Sequence, residues 1–187
     1  SLNRFERKKD VMLALEAYAV LRDRHPAAYA QTRLVLAGGY DPRVAENVEY
    51  CAELRRRRDA LGLAESVVLL PNFTNLQRTA LLRRAACLVY TPQNEHFGIV
   101  PVEAMYCAVP VVAANSGGPR ESVVDGVCGL LCAPTADAFA DAISRIVLDP
   151  ALRAAMGRAA HQTARDRFSF PTFAAQLNDA VTQLCPQ

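Results

Sequence analysis

The feature that most constrains the fold of this chain is a regular alternation of short apolar runs with longer amphipathic stretches. The apolar runs predict strands at Arg33–Ala37, Val67–Leu70, Cys87–Tyr90, Val109–Ala113 and Gly129–Cys132. The stretches between them predict helices over residues 10–25, 42–61, 75–86, 98–107 and 118–124. Strands that are apolar throughout and separated by helices are typical of parallel sheets covered on both faces. The pattern therefore predicts an α/β fold built on a doubly wound parallel sheet.

The pattern changes after the last predicted strand, where Ala-rich helical stretches follow one another. These stretches cover residues 135–149, 150–167 and 170–184 and predict a helical C-terminal tail packed on the sheet. No repeat or flexible linker interrupts the sequence, so we expect residues 1–187 to form one domain. Ser1–Asn3 precede the first predicted helix almost directly, which predicts a fragment that lacks part of its first strand.

Composition and charge exclude several classes of protein. The chain of 187 residues is 51% hydrophobic and 21% charged, which is ordinary for a globular protein and unlike a disordered or fibrous one. A net charge of +2 is too balanced to predict a nucleic-acid-binding protein. No apolar run reaches the roughly 20 residues of a membrane span, and the N-terminus does not resemble a signal peptide.

Motifs for metal, cofactor and triad chemistry are absent from the sequence. There is no GxGxxG, no GxxxxGK[ST], no Asp-x-Asp and no GxSxG. The six cysteines include no Cys-x-x-Cys pair, and the three histidines are isolated from one another. We therefore expect no metal and no cofactor, and the low cysteine content, unlike that of a disulfide scaffold, favours a reducing compartment.

The loops that follow the predicted strands are the best candidates for a binding site, because open parallel sheets bind ligands at the carboxyl ends of their strands. These loops hold Arg4–Lys9, Gly38-Gly39, Pro71–Phe73, Thr91–Gly98 and Asn115–Glu121. Gly38 and Gly39 allow the backbone to approach a ligand closely, although a simple strand-to-helix turn would also explain them.

The strongest local signal runs from Glu95 to Glu103. Glu95 lies in the loop after a predicted strand, and Glu103 lies in the first turns of the helix that follows. The free N–H groups near Gly98 and Ile99 open this helix and predict an anion site. Glu103 could alternatively serve only to complement the helix dipole.

The segment from Glu95 to Glu103, with Phe97-Gly98 inside it, resembles the signature of the retaining GT-B glycosyltransferases of family 4. The motifs that agree with it in order are Arg4-x4-Lys9, Asn115–Glu121 and Arg167–Ser169. This resemblance implies the C-terminal, donor-binding half of such an enzyme, with a Rossmann-like sheet. Asp10 departs from the family pattern, which usually has Gly after the Lys.

The resemblance also implies roles for individual residues. Arg4 and Lys9 would clamp the diphosphate of a nucleotide sugar, and Glu95 would orient the transferred sugar. Glu103 would bind the ribose hydroxyls, and Phe97, Gly98 and Ile99 would belong to the same donor site. Asn72 and Phe73 would contact the base, although a core position for Phe73 is an equal alternative.

Three segments of the chain are more specifically similar to the mannosyltransferases of dolichol-linked oligosaccharide synthesis: Asn3–Lys9, Ala37–Asp41 and Tyr90–Pro101. This similarity implies GDP-mannose as donor, a lipid-linked oligosaccharide bound by a missing N-terminal domain, and the cytosolic face of the endoplasmic reticulum. The alternatives are a transferase for another nucleotide sugar such as UDP-glucose, a non-catalytic nucleotide-binding module and a sugar-nucleotide epimerase. Arg55–Arg58 indicate a solvated helix face, with contact to an anionic membrane surface as the alternative.

The charges that develop during glycosyl transfer give these residues a chemical purpose. Breaking the anomeric C–O bond leaves negative charge on the diphosphate, which needs fixed positive charge or aimed donors. Arg4, Lys9, the amides of Gly38-Gly39 and the helix start at Gly98 could supply both without a metal. We therefore take Arg4, Lys9 and Glu95 as the candidate catalytic residues.

Overall fold

The computed structural model describes residues 1–184 and has an α/β architecture. The strands are β1 (Leu34–Gly38), β2 (Val67–Pro71), β3 (Leu88–Tyr90), β4 (Val111–Ala114) and β5 (Gly129–Cys132). The helices are α1 (Val11–Arg24), α2 (Pro26–Tyr29), α3 (Ala45–Ala60), α4 (Asn75–Arg84), α5 (Ile99–Tyr106), α6 (Pro119–Ser122), α7 (Ala136–Leu148), α8 (Pro150–Phe168) and α9 (Phe170–Leu184). The strands and helices predicted within residues 1–184 are present. Sequence periodicity missed the single turn α2 and a 3₁₀ turn at Arg7–Lys9.

The strands pair in parallel, as predicted, and form two hydrogen-bonded ladders. One ladder joins β1 to β2, with Leu34 opposite Val67, and the other has the order β3-β4-β5. The N-terminal residues extend the first ladder, because Leu2 forms a parallel bridge to Ala37. The backbone N–H of Asn3 donates to the carbonyl of Ala37 at 2.9 Å. The N-terminal segment, residues 1–5, thus runs alongside β1 and pairs with it through an isolated bridge and backbone hydrogen bonds.

Two buried clusters lie on opposite faces of these strands. Leu36 and Val112 belong to a cluster with α1, α3 and α7, whereas Ala37 and Val111 belong to a cluster with α4, α5 and α8. Alternate residues of a strand point to opposite faces, so each strand contributes to both clusters. Helices on both faces of parallel strands confirm the predicted fold class.

The C-terminal segment is helical, as predicted, but its last helix does not pack as expected. α7 and α8 bury residues such as Phe139 and Ala160, whereas α9 buries none. Phe170, at the start of α9, is 78% exposed. The prediction of a fully packed tail is therefore wrong for α9, because its apolar stripe faces away from both clusters. Among residues 1–184, no helix has the length and apolar character needed to cross a membrane.

Candidate functional site

A cavity of about 250 Å³ lies at the carboxyl ends of the strands, where the sequence predicts a site. The predicted site residues that line it are Arg4, Lys9, Gly38, Gly39, Phe73, Glu95, Gly98 and Ile99. The segment before α1, the loops after β1, β2 and β3, and the start of α5 all reach this cavity. Residues that are up to about half the chain apart in sequence therefore meet in one place.

Lys9 and Glu95 form an ion pair in the wall of this cavity. The ammonium group of Lys9 donates to Oε2 of Glu95, and the two side chains are 13% and 25% exposed. Thr91 donates from its hydroxyl to the carbonyl of Lys9 at 2.9 Å, which ties the Lys9 backbone to the loop after β3. The hydrogen bond from Lys9 lowers the pKa of Glu95, so this carboxylate is ionised at neutral pH.

Arg4 lines the same cavity but is more open to solvent. Its Nη1 pairs with Oε1 of Glu6 at 2.8 Å. A Cβ atom at Gly39 would lie 3.4 Å from Cγ of Arg4, so Gly39 leaves just enough room for this side chain. Arg4 is therefore a cation at the cavity mouth, and Lys9 is the more buried one.

Gly38 is needed for the contact between β1 and the N-terminal segment that contains Asn3. A Cβ atom built at this position would lie 1.6 Å from the carbonyl oxygen of Asn3. The backbone that comes close to Gly38 is therefore that of Asn3. The sequence had instead predicted that a ligand would come close to this glycine.

The start of α5 opens into the cavity through Gly98. Gly98 is the N-cap residue and has a φ of 76°, which glycine adopts readily. A Cβ atom here would lie 2.9 Å from the hydroxyl of Tyr90, which also lines the cavity. Burial, together with the neighbouring Glu95, raises the pKa of Tyr90, so the phenol is neutral. Sequence reasoning missed Tyr90, although its place at the end of β3 was a usable signal.

The Gly-rich segment after β4 supports the loop that carries Glu95. The backbone N–H of Gly118 donates to the carbonyl of Glu95 at 2.7 Å. The hydroxyl of Ser116 donates to Oδ1 of Asn94 at 2.9 Å. A Cβ atom at Gly117 would lie 2.5 Å from the same carbonyl of Glu95. This segment therefore fixes the position of Glu95 by direct backbone contact.

Asn72 and Phe97 do not line the cavity. The side-chain amide of Asn72 donates to the carbonyl of Tyr40 at 2.8 Å, and its oxygen accepts from the Tyr40 N–H at 2.9 Å. The ring of Phe97 packs edge-on against Phe168, with centroids 5.7 Å apart. In this structure Asn72 braces the loop after β1, and Phe97 attaches the Glu95 loop to α8.

Glu103 lies behind the cavity wall and is held by an arginine that the sequence analysis did not select. Nη1 of Arg78 donates to Oε1 of Glu103 at 2.6 Å, and Arg78 itself lines the cavity. Burial raises the pKa of Glu103, and the charge of Arg78 opposes that rise. Arg78 holds only Oε1, whereas Oε2 of Glu103 is buried and has no hydrogen-bond partner among residues 1–184, so the predicted contact of Glu103 with a ligand stays a prediction.

A sequence model of the family described as "Glycosyl transferases group 1" matches residues 1–163. Three similar curated relatives each bear the name "Alpha-1,3/1,6-mannosyltransferase ALG2". The human protein is 45% identical over 98% of this chain and 44% of its own length. The Dictyostelium discoideum protein is 44% identical over 98% of this chain and 45% of its own length. The Schizosaccharomyces pombe protein is 37% identical over 97% of this chain and 39% of its own length. The chain thus spans less than half the length of these relatives.

Solved structures show the same architecture. A sucrose-phosphate synthase from Thermosynechococcus elongatus superposes with a TM-score of 0.83 at 28% identity, over 98% of this chain and 44% of that one. Anabaena HepE, solved in complex with UDP, superposes with a TM-score of 0.84 at 27% identity, over 97% of this chain and 48% of that one. A C-terminal domain of a group 1 glycosyl transferase from Francisella tularensis shares the fold, with a TM-score of 0.78 at 21% identity, over 90% of this chain and 85% of that one.

Proposed function

This chain belongs to the group 1 glycosyltransferases, and we propose that it is the donor-binding half of a retaining mannosyltransferase that uses GDP-mannose. The relatives named α-1,3/1,6-mannosyltransferase support mannose as the transferred sugar. The motif resemblance described above supports GDP-mannose as its carrier.

One observation carries the proposal: Arg4, Lys9 and the helix start at Gly98 line the same cavity. A diphosphate in this cavity would meet two cations and the free N–H groups of a helix N-terminus. These are the groups that stabilise the negative charge of a departing nucleoside diphosphate. The cavity thus suits a reaction in which the anomeric C–O bond breaks toward the diphosphate.

Lys9 and Glu95 then divide the work of the reaction. Lys9 turns from Glu95 toward the diphosphate oxygens, where the leaving-group charge develops. Glu95, released from that pair, accepts hydrogen bonds from hydroxyls of the mannose and steadies the positive charge near the anomeric carbon. The acceptor hydroxyl bonds to that carbon on the face that the diphosphate leaves, and its proton passes to a phosphate oxygen. Configuration is retained, and the charges balance without a metal.

The acceptor and the cellular site are also proposed from the family resemblance. The lipid-linked oligosaccharide would bind mainly to the other half of the enzyme, as the resemblance implies. The reaction would then occur at the cytosolic face of the endoplasmic reticulum. The exposed apolar stripe of α9 and the basic residues Arg55–Arg58 are surfaces on which partner or membrane contact can be tested.

Titration of the 187-residue chain with GDP, GDP-mannose, UDP and UDP-glucose by calorimetry tests the donor. We expect GDP and GDP-mannose to bind more tightly than the uridine nucleotides. Tighter binding of UDP or UDP-glucose would overturn the assignment of GDP-mannose. It would favour the second candidate, a transferase that uses UDP-glucose, which the similarity to a UDP-bound HepE structure supports.

A further inference from the structure

The guanidinium group of Arg78 faces the candidate donor cavity, but only part of its hydrogen-bonding capacity is used. Its Nη1 donates to Glu103 at 2.6 Å. Its Nε is buried and has no hydrogen-bond partner among residues 1–184. A buried donor without a partner is costly, so an acceptor on a ligand would be favoured at this point. The bond to Glu103 leaves the edge that carries Nε and Nη2 unused, and because the Arg78 side chain is 34% exposed, a small rotation would bring Nε within reach of a ligand.

Two contacts hold the side chain of Arg78, and a capping box fixes the helix turn that carries it. Glu103 binds one end of the guanidinium, and the ring of Phe73 lies 5.9 Å from its central carbon. Thr74 and Gln77 form a capping box that fixes the first turn of α4, from which Arg78 projects. Arginine presents its donors as a rigid planar fork, so a fork held in this way selects the geometry of its acceptors.

The position of this fork points to the nucleoside end of the donor. Lys9 and Arg4 stand at the part of the cavity assigned to the diphosphate, whereas Arg78 stands beside Phe73, the residue expected near the base. Two parallel donors match two adjacent acceptors. Guanine offers such a pair, O6 and N7, and arginine binds it through two hydrogen bonds in other protein complexes. Uracil offers O4 without a second acceptor beside it.

We propose that Arg78 is a specificity-determining residue whose Nε–Nη2 edge binds O6 and N7 of a guanine base. This inference rests on the proposed function, because it explains how the site would favour GDP over UDP. Glu103 then has a positioning role, since it holds the opposite end of the guanidinium. The bond between Arg78 and Glu103 is kept in the ligand-bound state.

Calorimetric titration of the 187-residue chain and of Arg78→Lys with GDP, 7-deaza-GDP and UDP tests the inference. 7-Deaza-GDP lacks the N7 acceptor, so the unaltered chain should bind it at least about fivefold more weakly than GDP. Arg78→Lys keeps the positive charge and the partner for Glu103 but removes the planar fork. It should lower GDP affinity by about fivefold or more, leave UDP affinity within twofold and abolish the difference between GDP and 7-deaza-GDP.

Arg84→Lys is the matched control, because Arg84 lies on the same helix, is exposed and does not line the cavity. It should leave all three affinities unchanged. Thermal unfolding of both variants shows whether they remain folded. We expect both to do so, because lysine is a conservative replacement for arginine.

Each unfavourable result has a separate meaning. Equal losses of GDP and UDP affinity in Arg78→Lys would place Arg78 on the diphosphate and overturn the inference. Equal binding of GDP and 7-deaza-GDP by the unaltered chain, or a preference for GDP that survives Arg78→Lys, would also overturn it. In each of these three cases the proposed function would stand as long as GDP binds more tightly than UDP. A preference of the unaltered chain for UDP would instead overturn the proposed function.

Discussion

At the scale of single residues, Lys9 and Glu95 decide how the site can respond to a donor. The two side chains neutralise each other in the cavity wall, where both are largely shielded from water. In the proposed reaction, the diphosphate offers Lys9 a second anion, and the sugar offers Glu95 hydroxyl groups. Donor binding would then replace the ion pair with contacts from each side chain to the donor.

Replacement of Lys9 tests its part in catalysis. In the complete enzyme, Lys9→Ala should lower the rate of mannosyl transfer about 10²–10³-fold, because a fixed cation at the leaving group is lost. The measurement is the single-turnover rate with a lipid-linked acceptor. Lys8→Ala is the control, since Lys8 is an exposed neighbour that pairs with Glu6 and does not line the cavity. A Lys9→Ala rate within a few-fold of the unaltered enzyme would remove Lys9 from the catalytic set.

Acidification tests the ion pair itself. Lys9 lowers the pKa of Glu95 below its ordinary value of 4.5, so the pair stabilises the fold fully above that pH. The stabilisation, about 1 kcal/mol for a partly exposed pair, should disappear as the pH falls through the lowered pKa. Glu95→Gln has no carboxylate to protonate. The difference in free energy of unfolding between the two proteins, measured with urea, should therefore shrink from pH 7 to pH 3.5. A constant difference would contradict this account.

At the scale of elements, the Gly-rich segment after β4 acts as a support for the Glu95 loop. Gly117 and Gly118 lie so close to the backbone of Glu95 and Phe97 that side chains there would collide with it. The helix start at Gly98 lies similarly close to the side chain of Tyr90. The candidate site is therefore held by close contacts between segments that glycine permits.

Two glycines with similar backbone conformations separate crowding from conformational strain. Gly117 and Gly126 both have positive φ, 57° and 74°, but only Gly117 has neighbours within 4 Å of its Cβ position. Gly126→Ala should cost about 1–2 kcal/mol of stability through strain alone. Gly117→Ala should cost about 1–3 kcal/mol more, because the Glu95 loop must shift. It should also weaken GDP-mannose binding. Chemical denaturation and calorimetry provide the two measurements, and equal costs at both positions would show that the loop contact is unimportant.

At the scale of the whole molecule, the proposed function assigns the donor site to this chain and acceptor binding mainly to the other half of the enzyme. It spans less than half the length of its curated relatives, and its cavity is formed by the segments that carry the donor motifs. Transfer needs donor and acceptor to be held together in reacting geometry. The exposed stripe of α9 marks a surface that the described residues leave uncovered.

The isolated chain should therefore bind GDP and GDP-mannose but transfer no mannose to a lipid-linked acceptor. Calorimetry reports binding, and chromatography of the labelled lipid product reports transfer. Lys9→Ala in the same chain should weaken GDP binding, which shows that the binding uses the candidate site. Transfer by the chain alone at a rate comparable with the complete enzyme would contradict the division of labour proposed here.

The sequence by itself determined the fold class and the edge of the sheet at which the candidate cavity lies. Hydrophobic periodicity is a local property, so it placed β1–β5 and the longer helices to within a few residues. Parallel pairing then put the loops after the strands at one edge, where Arg4, Lys9, Glu95 and Gly98 meet. Periodicity did not reveal that α9 leaves its apolar face exposed, because a pattern records amphipathicity but not what covers it.

Only the tertiary structure decided which side chains pair and which way they point. Lys9 with Glu95, and Arg78 with Glu103, are contacts between residues far apart in sequence. Asn72 turns to the loop after β1 instead of the cavity, and Gly38 makes room for Asn3. Such contacts depend on packing of several segments at once, and no local propensity contains that information. The sequence shows where the charged residues lie along the chain, whereas tertiary packing determines which of them form ion pairs.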